Sequence, residues 1–140
     1  MELIQRHRKL INHPKYNNYI FYNDYGVLVR SDYKEHKRVY VERNVKNMRD
    51  SGNSLIVLKY ENELIFEEIH IDSLAIRELI KASEFKEFFK DENNLNANSI
   101  LHFEYNEGKL FCTFKENDRR FTVFANLITS EKKVVAEWQI

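Results

Sequence analysis

The sequence predicts an α+β fold, a mainly antiparallel β-sheet with one long helix at about residues 73–90 packed on it and a short amphipathic helix at the N-terminus. Two observations support this prediction. In the C-terminal third, segments rich in β-forming residues are separated by dipeptides at 107–108 and 117–118, which are typical of tight hairpin turns. Upstream, apolar residues following Ser73 recur at the spacing of one helical face. An apolar helix face and an apolar sheet face bury each other in a layered domain.

The composition is that of one globular domain, and we assign residues 1–140 to it. Hydrophobic residues make up 43% of the chain and aromatic residues 14%, which is enough apolar surface for a packed core. The longest apolar run, at 55–58, is far shorter than the roughly 20 residues of a membrane-spanning helix. With Cys112 as the single cysteine, no internal disulfide forms, and we expect a cytoplasmic protein.

The first 50 residues predict a helix followed by strands. Residues 2–12 place their apolar side chains in one sector of a helical wheel, and Pro14 ends that helix because proline disfavours the α conformation of the preceding residue. Residues 19–31 predict a β-hairpin and residues 37–42 a further strand. Residues 43–50 are interpreted as one or two helical turns.

The middle of the chain predicts two strands and the long helix. Residues 54–60 and 64–71 are rich in β-formers and flank a polar turn. The long helix then runs from Leu74 to about residue 90, behind an N-cap, and should be heavily buried. Residues 91–99, with four asparagines, are interpreted as a loop.

The C-terminal third predicts a three-stranded meander at 99–106, 109–116 and 119–127, with a last strand at 133–140. Two-residue turns fix the register of the meander. On its apolar face this register places Phe103, Cys112 and Val123 in one row, Tyr105, Leu110 and Ala125 in the next, and Phe114 beside Phe121, with Leu101 alongside. Phe111 and Phe124 fall on the opposite face, where the N-terminal helix is expected to cover them.

Charge is unevenly distributed although the total is zero. Residues 1–50 contain eleven Lys/Arg and six Asp/Glu, whereas residues 51–100 contain five and ten. The basic first third also contains most of the tyrosines, and we take its exposed members as the candidate binding surface: Tyr22, Tyr25, Tyr33, Arg38, Tyr40, Arg43 and Arg49. Tyr and Arg are enriched at protein-binding hot spots, and the same residue types also hold single-stranded nucleic acid. Ordinary strand packing of the tyrosines is the third interpretation.

Glu68, His70 and Asp72 form the sharpest candidate for chemistry. Their spacing places them on one face of a strand, where two carboxylates and an imidazole could hold a divalent metal for hydrolysis. His102 and Glu104 would join them if their strands were neighbours. The alternative is a solvated strand face with Asp72 as a helix cap. We therefore predict no metal site and keep the metal-dependent hydrolase as an alternative.

No other catalytic signature is present in the sequence. The isolated glycines exclude a glycine-rich phosphate loop, and the predicted register buries Cys112 away from His102, which makes a reactive thiol unfavourable. The sequence therefore favours a non-catalytic binding or regulatory protein without a cofactor, acting on a protein partner. A composition typical of AT-rich genomes suggests a phage or mobile-element inhibitor of a host defence complex. A nucleic-acid-binding module is the second alternative, and a homo-oligomer is left open.

Overall fold

The computed structural model describes residues 11–12 and 19–140, and this part of the chain forms twelve strands in three four-stranded sheets. The strands of each sheet follow one another in chain order, and every neighbouring pair is antiparallel, so each sheet is a simple meander. The fold is therefore all-β in the described residues, and the predicted α+β class is wrong.

The first sheet consists of β1 (Ile11–Asn12), β2 (Tyr19–Asp24), β3 (Val27–Asp32) and β4 (Lys37–Glu42). The hairpin predicted at 19–31 and the strand predicted at 37–42 are both confirmed. Residues 2–10 of the predicted helix at 2–12 lie outside the described residues. Residues 11–12 pair with β2 as a strand, so the prediction of helix is wrong for these two residues.

The second sheet consists of β5 (Val45–Asp50), β6 (Ser54–Glu61), β7 (Glu63–His70) and β8 (Ile76–Lys81). The two predicted central strands are confirmed. The helical turns predicted at 43–50 are wrong, because these residues form β5 and pair with β6. Strand β6 is buried from Ser54 to Lys59, and a buried strand edge without a partner would leave its peptide groups unsatisfied.

The long helix predicted at about 73–90 is wrong for a related reason. Residues 76–81 of this segment form strand β8, which hydrogen-bonds to the side of the buried strand β7 that does not face β6. Leu74, where the helix was expected to begin, has a φ of 63° in the left-handed region, which a right-handed helix cannot contain. Helix propensity is a weak preference, and the pairing of β7 overrides it.

Short 3-10 helices connect β8 to the third sheet, at Ala82–Phe88, Glu92–Asn94 and Ala97–Ser99. The first of them buries Ala82 and Phe85, so the apolar residues that suggested a long helix still enter the core. Glu116, which lies in the third sheet, anchors this connection by hydrogen bonds. Its carboxylate accepts the backbone N–H groups of Lys90 and Asp91 at 2.9 and 2.8 Å.

The third sheet consists of β9 (Ile100–Asn106), β10 (Lys109–Glu116), β11 (Arg119–Asn126) and β12 (Glu131–Gln139). Its register agrees with the predicted rows: Phe103 faces Cys112 and Val123, Tyr105 faces Leu110 and Ala125, and Phe114 faces Phe121. One position differs. A bulge between Thr113 and Phe114 pairs Ile100 with Phe114, so Ile100 is buried and Leu101 is exposed.

Two cores hold the three sheets together. One lies between the first and second sheets and includes Phe21, Leu55 and Ile69. The other lies between the second and third sheets and includes Phe66, Phe85 and Phe103. Strand β6 contributes to both, because successive side chains of a strand point to opposite faces. Within the described residues, no helix is long and apolar enough to cross a membrane.

Candidate binding surface

Strand β4 has the most exposed aromatic side chain of the described residues. Tyr40 is 72% exposed, and Arg38 lies two residues before it on the same face of the strand. Tyr22 lies two strands away in the same row, with Val29 between it and Tyr40. Tyr22 is buried and hydrogen-bonds with Arg38, an interaction that raises the pKa of the guanidinium above its usual value. The buried Tyr22 therefore positions the exposed side chain of Arg38.

Two further candidates lie at the end of the first sheet where β4 finishes. Tyr25 is in the β2–β3 turn and is 56% exposed, and Arg43 directly follows β4. Tyr40 and Arg43 line a groove of about 450 Å³ together with Asp24, Val27, Val41 and Glu42. We call Tyr25, Arg38, Tyr40 and Arg43 the β4 surface.

The remaining two candidates lie elsewhere. Tyr33 is exposed in the β3–β4 turn, at the opposite end of the first sheet. Arg49 is on β5 and pairs with Ile56, whose side chain belongs to the core between the second and third sheets. The structure therefore places six of the seven predicted binding residues in the first sheet, with Tyr25, Tyr40 and Arg43 toward one end and Arg38 nearer the end of Tyr33, and it puts Arg49 in the second sheet.

Polar contacts fix the first sheet to the second. The guanidinium of Arg30 lies 4.2 Å from the centre of the Tyr19 ring and donates to the backbone carbonyls of Ile71 and Asp72. The Tyr19 hydroxyl donates to Asp72 at 2.9 Å, and this hydrogen bond is the main reason that the pKa of Tyr19 is raised. These contacts make the first sheet a rigid support for the β4 surface.

A buried ion cluster, which is not among the sites predicted from the sequence, lies next to the groove. The Lys59 ammonium contacts Glu42 at 2.8 Å, Glu61 at 3.0 Å and Glu67 at 3.1 Å. Lys59 shares an inward strand face with Leu55 and Val57, and a lysine at such a position was the available signal.

The protonation of this cluster follows from its burial. Burial and a hydrogen bond with Glu42 raise the pKa of Glu67 to about 7, although Lys59 acts in the opposite direction. One oxygen each of Glu42 and Glu67 is buried without a donor. A proton shared between the two carboxyl groups satisfies both oxygens. Burial lowers the pKa of the Lys59 ammonium, but its three carboxylate partners raise it by more, so the pKa lies above its usual value.

The three residues of the metal hypothesis are each engaged in other contacts. Glu68 pairs with Arg77 and accepts the Ser54 hydroxyl, and Asp72 accepts Tyr19. His70 Nδ1 accepts the backbone N–H groups of Asp72 and Ser73 at 3.2 Å, so the imidazole caps the turn after β7. Among the described residues, no group of three or more His, Cys, Asp or Glu side chains is arranged to hold a metal ion.

Cys112 is fully buried, as the register predicted, and burial raises the pKa of its thiol well above the usual value. His102 is on the opposite face of the third sheet, where its Nε2 lies 3.6 Å from Glu104. Phe111 and Phe124 pack on each other on that face with ring centres 5.1 Å apart. Phe111 is 43% exposed. Residues 2–10 of the helix that was expected to cover it lie outside the described part of the chain.

No family model and no curated protein match this sequence. Several solved structures are similar to it in fold, including the following three. The Pyrococcus horikoshii acylaminoacyl peptidase matches with a TM-score of 0.54 and 10% identity, over 88% of this chain and 23% of that one. The β-propeller domain of the Trilobed protease from Pyrococcus furiosus matches with a TM-score of 0.51 and 15% identity, over 95% of this chain and 43% of that one. The N-terminal domain of Nup159 matches with a TM-score of 0.50 and 11% identity, over 94% of this chain and 30% of that one.

These similarities concern the fold alone. The chain spans less than half the length of each of these structures. Its three four-stranded antiparallel sheets, stacked through apolar faces, correspond to the blades of a β-propeller-like arrangement.

Proposed function

We propose that this chain is a non-catalytic binding protein and that its β4 surface contacts a protein partner. The observation that carries the proposal is the exposure of Tyr25 and Tyr40 beside the cations of Arg38 and Arg43 on one rigid sheet. Tyrosine and arginine are the residue types that most often contribute binding energy at protein interfaces. A tyrosine ring buries a large area and loses little conformational freedom.

The support beneath the surface favours binding. Arg38 is already held by Tyr22, and the first sheet is tied to the second by Arg30 and Tyr19. A side chain that is positioned before the partner arrives loses less entropy on binding. The groove that Tyr40 and Arg43 line also includes Val27 and Val41, which supports a partner whose contact residues are both apolar and charged.

The proposal is tested by capturing partners from the source cells with a tagged protein and comparing variants. Tyr40→Ala and Arg43→Gln should each abolish recovery of the captured partner. Tyr33→Ala is the matched control, because Tyr33 is similarly exposed but lies at the opposite end of the sheet. Recovery that is unchanged by Tyr40→Ala, or equally reduced by Tyr33→Ala, contradicts the assignment.

The finer predictions from the sequence belong to the same experiment. We propose a cytoplasmic role, and the identity of the captured partner distinguishes an inhibitor of a host defence complex from other regulatory roles. Gel filtration of the purified chain tests the homo-oligomer.

A nucleic-acid partner is the second proposal, favoured by two exposed arginines, Arg38 on β4 and Arg43 in the turn that follows it. It requires oligonucleotide binding that weakens steeply with salt, because released counterions drive such binding. Absence of binding at low salt eliminates it.

A further inference from the structure

A cavity of about 470 Å³ opens between the second sheet and the connection that leads to the third sheet. Its walls are mainly apolar and include Leu64 from β7, Ala82 from the first 3-10 helix, and Leu95 and Ala97 from the end of the connection. Tyr60, 48% exposed, forms part of the wall. A volume of this size lies in the range of small-molecule sites, roughly 300–1,000 Å³.

The charged groups of this cavity are unbalanced. Lys46 and Lys86 line it, both are exposed, and neither makes an ion pair with any residue that the structure describes. The carboxylate of Glu63 also lines it, but it accepts the Ser83 hydroxyl at 3.0 Å and lies 3.7 Å from the Lys81 ammonium. Because Glu63 is already paired with Lys81, the ammonium groups of Lys46 and Lys86 leave the cavity with excess positive charge, which an anionic ligand would offset.

Lys46, one of these two lysines, lies at an irregularity in the strand pairing. The pairing of β5 with β6 shifts between Val45 and Asn47, so Lys46 is the additional residue of a β-bulge. Val45 points into the core between the first and second sheets, whereas Lys46 reaches the cavity. Bulges often redirect a side chain beside a functional site. Met48 points into the same core as Val45, so regular alternation counted from Met48 would turn Lys46 into that core, and the bulge turns it to the other side.

We propose that this cavity binds a small organic monocarboxylate, with its apolar body against Leu64, Ala82, Leu95 and Ala97 and its carboxylate at Lys46 and Lys86. The mainly apolar lining favours a hydrocarbon or aromatic body, and the two ammonium groups of Lys46 and Lys86 favour an anionic head group such as a carboxylate. The residues of this site are separate from the β4 surface, so the two proposals stand independently.

The test is a nuclear magnetic resonance titration of the whole protein with hexanoate and, in parallel, with uncharged 1-hexanol. Hexanoate should produce saturable shifts at the amides of Leu64, Ala82, Leu95 and Ala97. Lys46→Gln and Lys86→Gln should each weaken binding by about 1.5- to fivefold, the range typical of an exposed ion pair, and 1-hexanol should bind more weakly than hexanoate.

Lys133→Gln is the matched control, since it makes the same change on the exposed strand β12 and should leave hexanoate binding unchanged. The proposal is overturned if hexanoate gives no saturable shifts, if 1-hexanol binds equally well, or if the two cavity variants bind hexanoate as the control does. The spectra also report whether each variant is folded, so a misfolded variant is not mistaken for loss of the site.

Discussion

The carboxyl group of Glu67 couples protonation to folding at the scale of a single residue. Its pKa in the folded protein is about 7, raised first by burial and then by the hydrogen bond with Glu42. In the unfolded chain a glutamate titrates near its ordinary value of about 4.3. Between these values the folded state binds more protons than the unfolded state, so the free energy of unfolding must fall as the pH rises.

The first prediction is that stability decreases from about pH 4.5 to 7 and then levels, and that Glu67→Gln removes most of this slope. The glutamine amide is neutral and can donate to Glu42 as the protonated carboxyl does. Urea unfolding at a series of pH values measures the effect. Glu87→Gln, at an exposed position, is the control and should keep the wild-type slope. An equal slope in Glu67→Gln would show that another group titrates.

Backbone strain at hairpin turns is the second effect at this scale. Glu107 has a φ of 48°, although non-glycine residues other than Asn and Asp rarely adopt the left-handed region. It precedes Gly108, whose φ of 83° completes a turn in which both residues are left-handed. Asn-Gly is the preferred dipeptide for such turns.

Glu107→Asn is therefore expected to raise the free energy of unfolding by about 0.5–1 kcal/mol. Asn44 has a φ of 56°, and the reverse exchange, Asn44→Glu, should lower stability by a similar amount. Thermal and urea unfolding measure both variants. A destabilised Glu107→Asn would mean that the turn is not strained.

At the scale of the element, the connection between the second and third sheets depends on Glu116. Besides the N–H groups of Lys90 and Asp91, its carboxylate accepts Asn94 Nδ2 at 2.8 Å and Arg119 Nη1 at 2.9 Å. Burial alone would raise the pKa of Glu116, but these hydrogen bonds and the charge of Arg119 lower it below the usual value. The stabilisation is therefore present above the ordinary pKa of glutamate and is lost as the pH falls through the lowered value.

Glu116→Ala should lower the free energy of unfolding by about 2–4 kcal/mol, because several buried donors lose their acceptor together. Hydrogen exchange should also speed up at Lys90 and Asp91. Glu137→Ala is the matched control, because Glu137 contacts the same Arg119 at 3.1 Å from an exposed position. Its loss should cost less than about 1 kcal/mol. Similar losses in the two variants would contradict the role given to Glu116.

Local pattern and tertiary context disagree most over residues 74–90. The apolar residues of this segment fit a helical face, and the burial of Ala82, Phe85 and Phe89 confirms that several of them belong to the core. The pattern could not reveal that β7 requires a fourth strand beside it. Strand formation depends on a partner that is distant in sequence, whereas helix spacing is visible in the segment itself.

At the scale of the whole molecule, β6 makes the two cores interdependent. Leu55 packs between the first and second sheets, and Leu58 packs between the second and third. Loss of either packing surface exposes a side of the same strand. The three sheets should therefore unfold together in one transition.

Leu55→Ala and Leu58→Ala are each expected to cost about 2–5 kcal/mol, the usual range for a buried leucine. Trp138, the single tryptophan, lies on β12 in the third sheet and reports on that sheet by fluorescence. In Leu55→Ala its transition should shift to the same urea concentration as the far-ultraviolet circular dichroism. An unchanged Trp138 midpoint would show that the third sheet unfolds separately.

The sequence by itself determined the C-terminal meander, with Cys112 inside and His102 on the opposite face. Two-residue turns fix which residues pair, and alternation along each strand then fixes their faces, so the information is local. Only the tertiary structure decided that residues 76–81 form a strand, that Lys59 meets three carboxylates, and that Tyr40 and Arg43 share a groove. These arrangements depend on contacts between segments distant in sequence, for which one chain carries no local pattern.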